Sequence, residues 1–321
     1  MAWFSKPNSQ PASKPDDWRL RADPEDLREY DAFGPWVFEV HNESEMPKRF
    51  RAYYTEHCDA RYLIKVPINL ERRVARPGMD LYHTVIAIDE RGMTVMRLQG
   101  DGQIECTAVA WADVVAIRCY TNLLIGRWSL LVGNGGEVTI DYNAVSARLI
   151  EGITEFIRAR CFWSTPVPDN RLQLPVASVI DPLFQYHEMI AQRVGPQPAI
   201  AVHYEAKNLP CRDDRKKRRW TTGLMLIDGP NELTIVADNP PERRPFQSHF
   251  VACVTYIPYA RISSFAITSP PAMKPPQFRT LTLNLDQQTI RQRCLHVPDA
   301  VMRLLIARGL AQVTASLPSA A

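Results

Sequence analysis

The chain has 321 residues, 45% apolar and 23% charged, with a net charge of +3. That balance belongs to a globular protein and excludes general disorder. It also excludes an overall field of the kind that holds nucleic acid, so any electrostatic function must come from local clustering. The length is sufficient for two ordinary domains, each with its own core. The seven cysteines (Cys58, Cys106, Cys119, Cys161, Cys211, Cys253 and Cys294) are scattered singly, with no CxxC spacing, a pattern of reduced thiols in a cytoplasmic setting. No secretory signal opens the sequence, since Met-Ala-Trp-Phe-Ser-Lys-Pro turns polar at once. No apolar run approaches the roughly 20 residues of a membrane helix. The nearest, Leu123 to Val132, is broken by Gly126 and Arg127.

Residues 1–17, rich in Pro, Ser, Asn and Lys, read as a flexible tail. A short helix is expected from Asp23, with Pro24 at its first position, followed by a strand from Trp36 to Val40. Ser44-Glu45-Met46-Pro47 is a helix-start signal, and Phe50, Tyr53, Tyr54 and His57 follow at helical spacing. A strand from Tyr62 to Asn69 leads into a basic loop, Glu71 to Gly78. Leu81 to Ile88 and Met93 to Leu98 form a hairpin across Asp89-Glu90-Arg91-Gly92. Strands are expected at Ile104 to Ala110 and Val115 to Tyr120, joined by Trp111-Ala112-Asp113-Val114. Trp128 to Val132 and Glu137 to Tyr142 pair across Gly133-Asn134-Gly135-Gly136, and a helix from Val145 to Arg160 closes the unit.

The second half repeats this order. A helix starts at Asp181-Pro182, a strand spans Ala199 to Ala206, and a more heavily charged loop runs from Lys207 to Arg219. Trp220 to Ile227 and Leu233 to Ala237 form the hairpin, and a Pro-rich excursion follows at Asn239 to Pro245. His249 to Ile257 and Ser263 to Thr268 are strands joined by Pro258-Tyr259-Ala260-Arg261-Ile262. Phe278 to Leu285 and Thr289 to His296 pair across Asp286-Gln287-Gln288, and a helix from Pro298 to Arg308 stops at Gly309. Local sequence matches as well: Ile88-Asp89 with Ile227-Asp228, and the step around Trp111 with the step around Tyr259. An internal duplication is the reading. The implied organisation is a tail at 1–17, a first unit at 18–160, a linker at 161–180, a second unit at 181–310 and a tail at 311–321.

Seven strands and a closing helix, carried by "LYHTVIAIDERG", "VAWADVVAI" and "LLIGRWSLLVGNGGEVTIDYNAVSARLIEGITEFI", resemble bacterial pleckstrin-homology (PH)-like domains. The resemblance covers roughly residues 60–160, and less clearly 198–309. It implies a mainly-β α+β fold: two tandem PH-like barrels, each of about seven antiparallel strands capped by a C-terminal helix. It further implies a binding or scaffolding module for lipid headgroups, peptides or proteins, with phosphate held at the loop between the first two strands.

No catalytic constellation stands out: there is no GxSxG, P-loop, GxGxxG after a strand, or HExxH, and the seven histidines show no ligand-like pairing. The chain is therefore expected to be non-catalytic, without metal or cofactor. The concentrated electrostatic feature is Arg212, Arg215, Lys216, Lys217, Arg218 and Arg219, followed by Trp220, with Arg72, Arg73 and Arg76 in the equivalent loop of the first unit. Three readings are open: a solvated loop, an anionic lipid surface, or nucleic-acid phosphates with Trp220 stacking. Leu123 and Leu124, in a predicted connection, and Phe162 and Trp163, at the end of the first unit, are candidates for a protein partner or for packing between the units. The expected function is a cytoplasmic scaffold recruited to a protein partner or to the inner face of the membrane, with a nucleic-acid-associated protein as the alternative.

Overall fold

A computed structural model describes residues 18–162, 178–193, 199–212, 218–237, 251–268, 279–295, 297 and 299–313. The first half contains α1 (Trp18–Arg21), α2 (Pro24–Ala32), β1 (Phe38–Glu39), α3 (Tyr54–His57), β2 (Tyr62–Pro67), β3 (Tyr82–Ile88), β4 (Gly92–Leu98), β5 (Ile104–Ala110), β6 (Val114–Asn122), β7 (Ile125–Val132), β8 (Glu137–Asn143) and α4 (Ala147–Phe162). The second contains α5 (Pro182–Gln192), β9 (Ile200–Arg212), β10 (Arg218–Asp228), β11 (Glu232–Ala237), β12 (Val251–Pro258), β13 (Ser264–Thr268), β14 (Arg279–Leu285), β15 (Gln288–Cys294), α6 (Asp299–Ala307) and β16 (Ala311–Gln312). The fold is mainly β, of the α+β class.

Local chemistry explains many of these boundaries. Asp23 caps α2 by accepting from the backbone N–H groups of Glu25 and Asp26, and Asp181 caps α5 by accepting from that of Leu183. At the β3–β4 turn one Asp89 carboxylate oxygen accepts from the N–H groups of Arg91 and Gly92 at 2.6 and 2.9 Å. Gly309 ends α6 in the left-handed region at φ 79°.

Three expectations are corrected. The stretch following Pro47 folds as a 3-10 segment (Lys48–Tyr53) and one α-helical turn, α3. Ser44 donates to the Asn42 side chain at 2.6 Å and so does not cap a helix. Between β9 and β10, the expected loop from Lys207 to Arg219 is largely an extended ribbon, with Arg218 opposite Arg212 and Trp220 opposite Pro210. The expected connection at Asn122 to Ile125 is a tight hairpin turn.

The strands form three sheets, in the orders β1-β2-β3-β4-β5, β8-β7-β6-β12-β11-β10-β9 and β15-β14-β13-β16. No closed barrel forms among the described residues; the antiparallel pairing of β6 with β12, from Tyr256 opposite Ile117 to Val251 opposite Asn122, joins strands of the two halves into one seven-stranded sheet. Apolar residues on both faces of that sheet are buried. Ile117, Trp128, Leu130, Met225, Ile227, Val254 and Tyr256 face a core completed by α4, α5 and the inner face of the first sheet. Val115, Leu131, Leu224, Leu226, Leu233, Ile235 and Ile257 face a second core completed by β13–β15 and α6. Alternate residues thus feed two cores, except where the irregularity of β6 between Val114 and Ala116 puts Val115 and Ala116 on the same side and returns Ile117 to the first core.

The order of four strands, a 3-10 turn, three strands and a helix occurs twice, and one set of contacts recurs with it. Trp111 Nε1 donates to the Asp89 carbonyl at 3.0 Å; Tyr259, which occupies the matching 3-10 turn, donates to the Asp228 carboxylate at 2.7 Å. At the helix ends Arg160 pairs with Glu90 at 2.5 Å, and Arg308 with Asp228 at 2.7 Å. Trp111 and Tyr259 are 148 positions apart, as are Arg160 and Arg308.

Candidate partner-binding site

The β6–β7 hairpin turns in two residues, with Asn122 opposite Ile125 and Leu123-Leu124 between them. A turn this short requires positive φ at one or both central residues, which glycine or asparagine ordinarily supplies. Here Leu123 adopts φ 52°, a region that costs a β-carbon-bearing residue about 1–2 kcal/mol. The turn is held by the Ala144 N–H donating to the Leu124 carbonyl at 2.9 Å. Leu123, Leu124 and Ile125 are 60%, 63% and 61% exposed, and Val145, at the start of the helical segment beside them, is also exposed. The turn thus leaves apolar surface in solvent, where burial would be worth about 1.5–3 kcal/mol per side chain.

Directly behind this tip lies a cavity of about 50 Å³ between α4, α5 and strands β6, β8 and β12. Residues adjoining the tip line it: Thr121 precedes Asn122, and Tyr142 lies opposite Gly126. A β-carbon on Gly126 would sit 2.3 Å from the Tyr142 ring, so only glycine lets the ring cover the strand. Deeper in, Trp128 Nε1 donates to Thr154 Oγ1 at 3.1 Å, and Thr154 donates to the Ile150 carbonyl at 2.6 Å. At the base Arg158, on α4, forms a fully buried ion pair with Glu232, on β11, with its Nε 3.2 Å from the carboxylate. The guanidinium also lies 4.1 Å over the Tyr256 ring, and its Nη1 has no hydrogen-bond partner among the described residues. Burial works against the Arg158 charge, but the Glu232 carboxylate more than offsets it and holds the group protonated. This pair ties the closing helix of the first half to the second half.

Burial pushes the Cys119 thiol in this cavity up to about 12, far from a thiolate nucleophile at neutral pH. Burial also raises the hydroxyls of Tyr142 and Tyr256. At the rim, Tyr186 donates to Glu151 at 2.6 Å and is raised to about 12 by burial and by that carboxylate. A space of this size admits a few waters. Among the described residues no group of three His, Cys, Asp or Glu side chains is placed to hold a metal ion.

The candidates from sequence fall in different places. Leu123 and Leu124 are exposed at the tip, which removes packing between the halves as the reason for their apolar character. Phe162, by contrast, is buried in the core shared by both halves and is withdrawn as a partner contact. Trp163 lies outside the described residues. In the first basic loop Arg72 donates to the Phe33 carbonyl and stacks over Tyr30 at 4.4 Å, Arg73 pairs with Glu71, and Arg76 donates to the Arg73 and Ala75 carbonyls at 2.9 and 2.7 Å. Arg72 thus ties the loop to the end of α2, Arg76 fastens the loop to itself, and the Arg73–Glu71 pair is exposed. Arg212, Arg218, Arg219 and Trp220 are placed by their backbone in the β9–β10 ribbon. Arg215, Lys216 and Lys217, and the Pro-rich excursion at Asn239 to Pro245, lie outside the described residues.

Arg158 was missed, although a signal exists. Ile150, Ile153, Thr154, Ile157 and Arg158 are buried on α4 at i, i+3, i+4, i+7 and i+8, one helical stripe into which two polar residues fall. A polar residue on such a stripe must find a buried partner. No helix of the described residues is long and apolar enough to cross a membrane. No protein-family model matches the chain, and no curated protein is significantly similar to it.

Proposed function

We propose that the chain is a non-catalytic adaptor or scaffold built from two PH-like units, and that it engages a protein partner through the Leu123–Ile125 tip. The observation that carries this reading is the tip itself: three consecutive large apolar side chains exposed on a two-residue turn, with Leu123 where glycine would be less strained. A strained apolar tip lowers the stability of the free protein, and a cost of this kind is recovered when a partner covers it. The PH-like reading is supported by the twofold order of strands, turn and helix, and by the recurring contacts at Asp89 and Asp228. The test is capture from the native cell by the tagged full chain and by its Leu124→Ser variant. A protein retained by the first and lost by the second supports the reading; an identical set of retained proteins overturns it.

A second reading rests on a separate observation. The backbone register sets Arg218 opposite Arg212 in the β9–β10 ribbon, so basic positions gather on adjacent strands. An anionic surface gives about 1 kcal/mol for each basic residue brought near it. Replacing Arg215 to Arg219 by Ser should then abolish salt-sensitive binding to anionic liposomes. If the unaltered chain shows no such binding at low salt, while a gel-shift salt series shows a steep slope, nucleic acid takes the place of the membrane.

A further inference from the structure

The pairing that joins the two halves is a head-to-tail contact, and the molecule carries both of its components a second time. β12, the fourth strand of the second four-strand run, pairs through its outer edge with β6, the first strand of the three-strand run in the other half. The counterparts of these two strands are β5 and β13. β5 pairs with β4 on one side, and among the described residues no strand pairs with its other edge. β13 pairs with β14 on one side and, among the described residues, carries only β16 on the other, with Ala311 opposite Ser264 and Gln312 opposite Phe265.

β5 has few of the devices that protect an edge strand, which are lysine, proline, bulges and charge. Its register with β4 runs unbroken from Ala110 opposite Gly92 to Ile104 opposite Leu98. Its exposed side chains include the small residues Cys106, Ala108 and Ala110, and its single charge is Glu105. Other edges are blunted: β8 exposes Glu137 and Asp141, and β15 exposes Arg291 and Arg293. An unblunted edge seven residues long invites strand addition.

We propose that β5 is an assembly edge that receives β13 of a second copy of this chain, head to tail, and that β16 is the cap that restrains this pairing. Shifting the β6–β12 register by the 148 positions that separate Trp111 from Tyr259 places Ala108 opposite Phe265, Thr107 opposite Ala266, Cys106 opposite Ile267 and Glu105 opposite Thr268. No like charges oppose one another in that register, and three of its pairs bring an apolar or β-branched side chain against a small one. β16 overlaps it only at Phe265, through the Val313 N–H donating to the Phe265 carbonyl at 2.9 Å and the Gln312 pairing. Ala266, Ile267 and Thr268 stay unpaired on that side among the described residues. A heterologous contact of this kind builds an open series, or a ring where its rotation closes.

The test is sedimentation velocity on the full chain over a wide concentration series, alongside a chain ending at Leu310 and the double variant Cys106→Lys, Ala108→Lys. The expected result is a mass that rises beyond a dimer with concentration, rises earlier without β16, and stays at the monomer in the double variant. Both replaced residues are exposed, and circular dichroism checks that the variant folds. A short bismaleimide should also link Cys106 to Ile267→Cys between copies, and Cys106→Ser should remove the link. A monomer at every concentration with and without β16 overturns the proposal. So does a dimer that grows no further and ignores β16, since that result means β5 pairs with β5.

Discussion

The two halves use the same clamp in opposite environments. In the first half Arg160 reaches from the end of α4 to Glu90 on the β3–β4 turn, with side chains 47% and 60% exposed. In the second, Arg308 reaches from just past α6 to Asp228 on the β10–β11 turn, with side chains 0% and 5% exposed, and adds the Gly229 and Pro230 carbonyls at 3.1 Å each. Tyr259 completes that site by donating to the same Asp228 oxygen, while its counterpart Trp111 bonds only a backbone carbonyl. One contact plan therefore yields a solvated pair in one copy and a buried network in the other. The second half has more to lose at this corner, because a buried charge deprived of its partner keeps its full desolvation cost.

The largest expected effect lies where the halves are joined. Glu232→Ala strands the buried Arg158 guanidinium and should lower unfolding stability by about 3–5 kcal/mol, read from urea denaturation. The comparison itself is tested next. Asp228→Ala should cost about 3 kcal/mol or more, whereas Glu90→Ala should cost about 1 kcal/mol or less. Equal losses would break the distinction between a buried and a solvated clamp.

Alkaline pH probes one thiol in each half. Burial pushes both Cys119 and Cys294 from 9.0 up to about 12. A raised folded-state value means that the unfolded chain releases the proton first as pH rises. Stability is accordingly full below about pH 9 and declines between 9 and 12, by up to about 1.4 kcal/mol per pH unit for each thiol. Cys119→Ala or Cys294→Ala should each flatten part of that decline, measured as Tm against pH. A smaller effect separates the two aromatic turns: Tyr259→Phe removes one hydrogen bond to a carboxylate, for about 1.5–3 kcal/mol before Arg308 compensates, and Trp111→Phe removes a neutral one, for about 1 kcal/mol on top of the packing lost with the larger buried ring.

Much of the local plan was legible in the sequence because it is written in short-range chemistry. Asp23-Pro24, Asp89 to Gly92, Gly133 to Gly136 and Gly309 each specify a cap or turn through a local side-chain hydrogen bond or backbone conformation, and the structure places all four as expected. The union of β6 with β12 was not legible. Edge-to-edge pairing leaves no mark on hydrophobic period, because both strands alternate in the same way whether their outer edges are paired or free. The length of the β9–β10 ribbon was hidden by Lys207 and Pro210, residues depleted in strands, and by the run of charge that follows them. At the candidate site, Leu123 and Leu124 drew notice by their apolar run, but the turn between them was concealed, since neither residue is one that a two-residue turn ordinarily uses.

The central claim is that Leu123 is kept in a strained, exposed turn for the sake of a partner, and Leu123→Gly tests it most directly. Glycine accepts φ 52° without strain, so the variant should match or exceed the parent in unfolding stability by up to about 1 kcal/mol. Measured side by side, the variant should melt no lower than the parent and yet lose the protein that the parent captures. A variant that melts no lower and captures the same protein would contradict the claim.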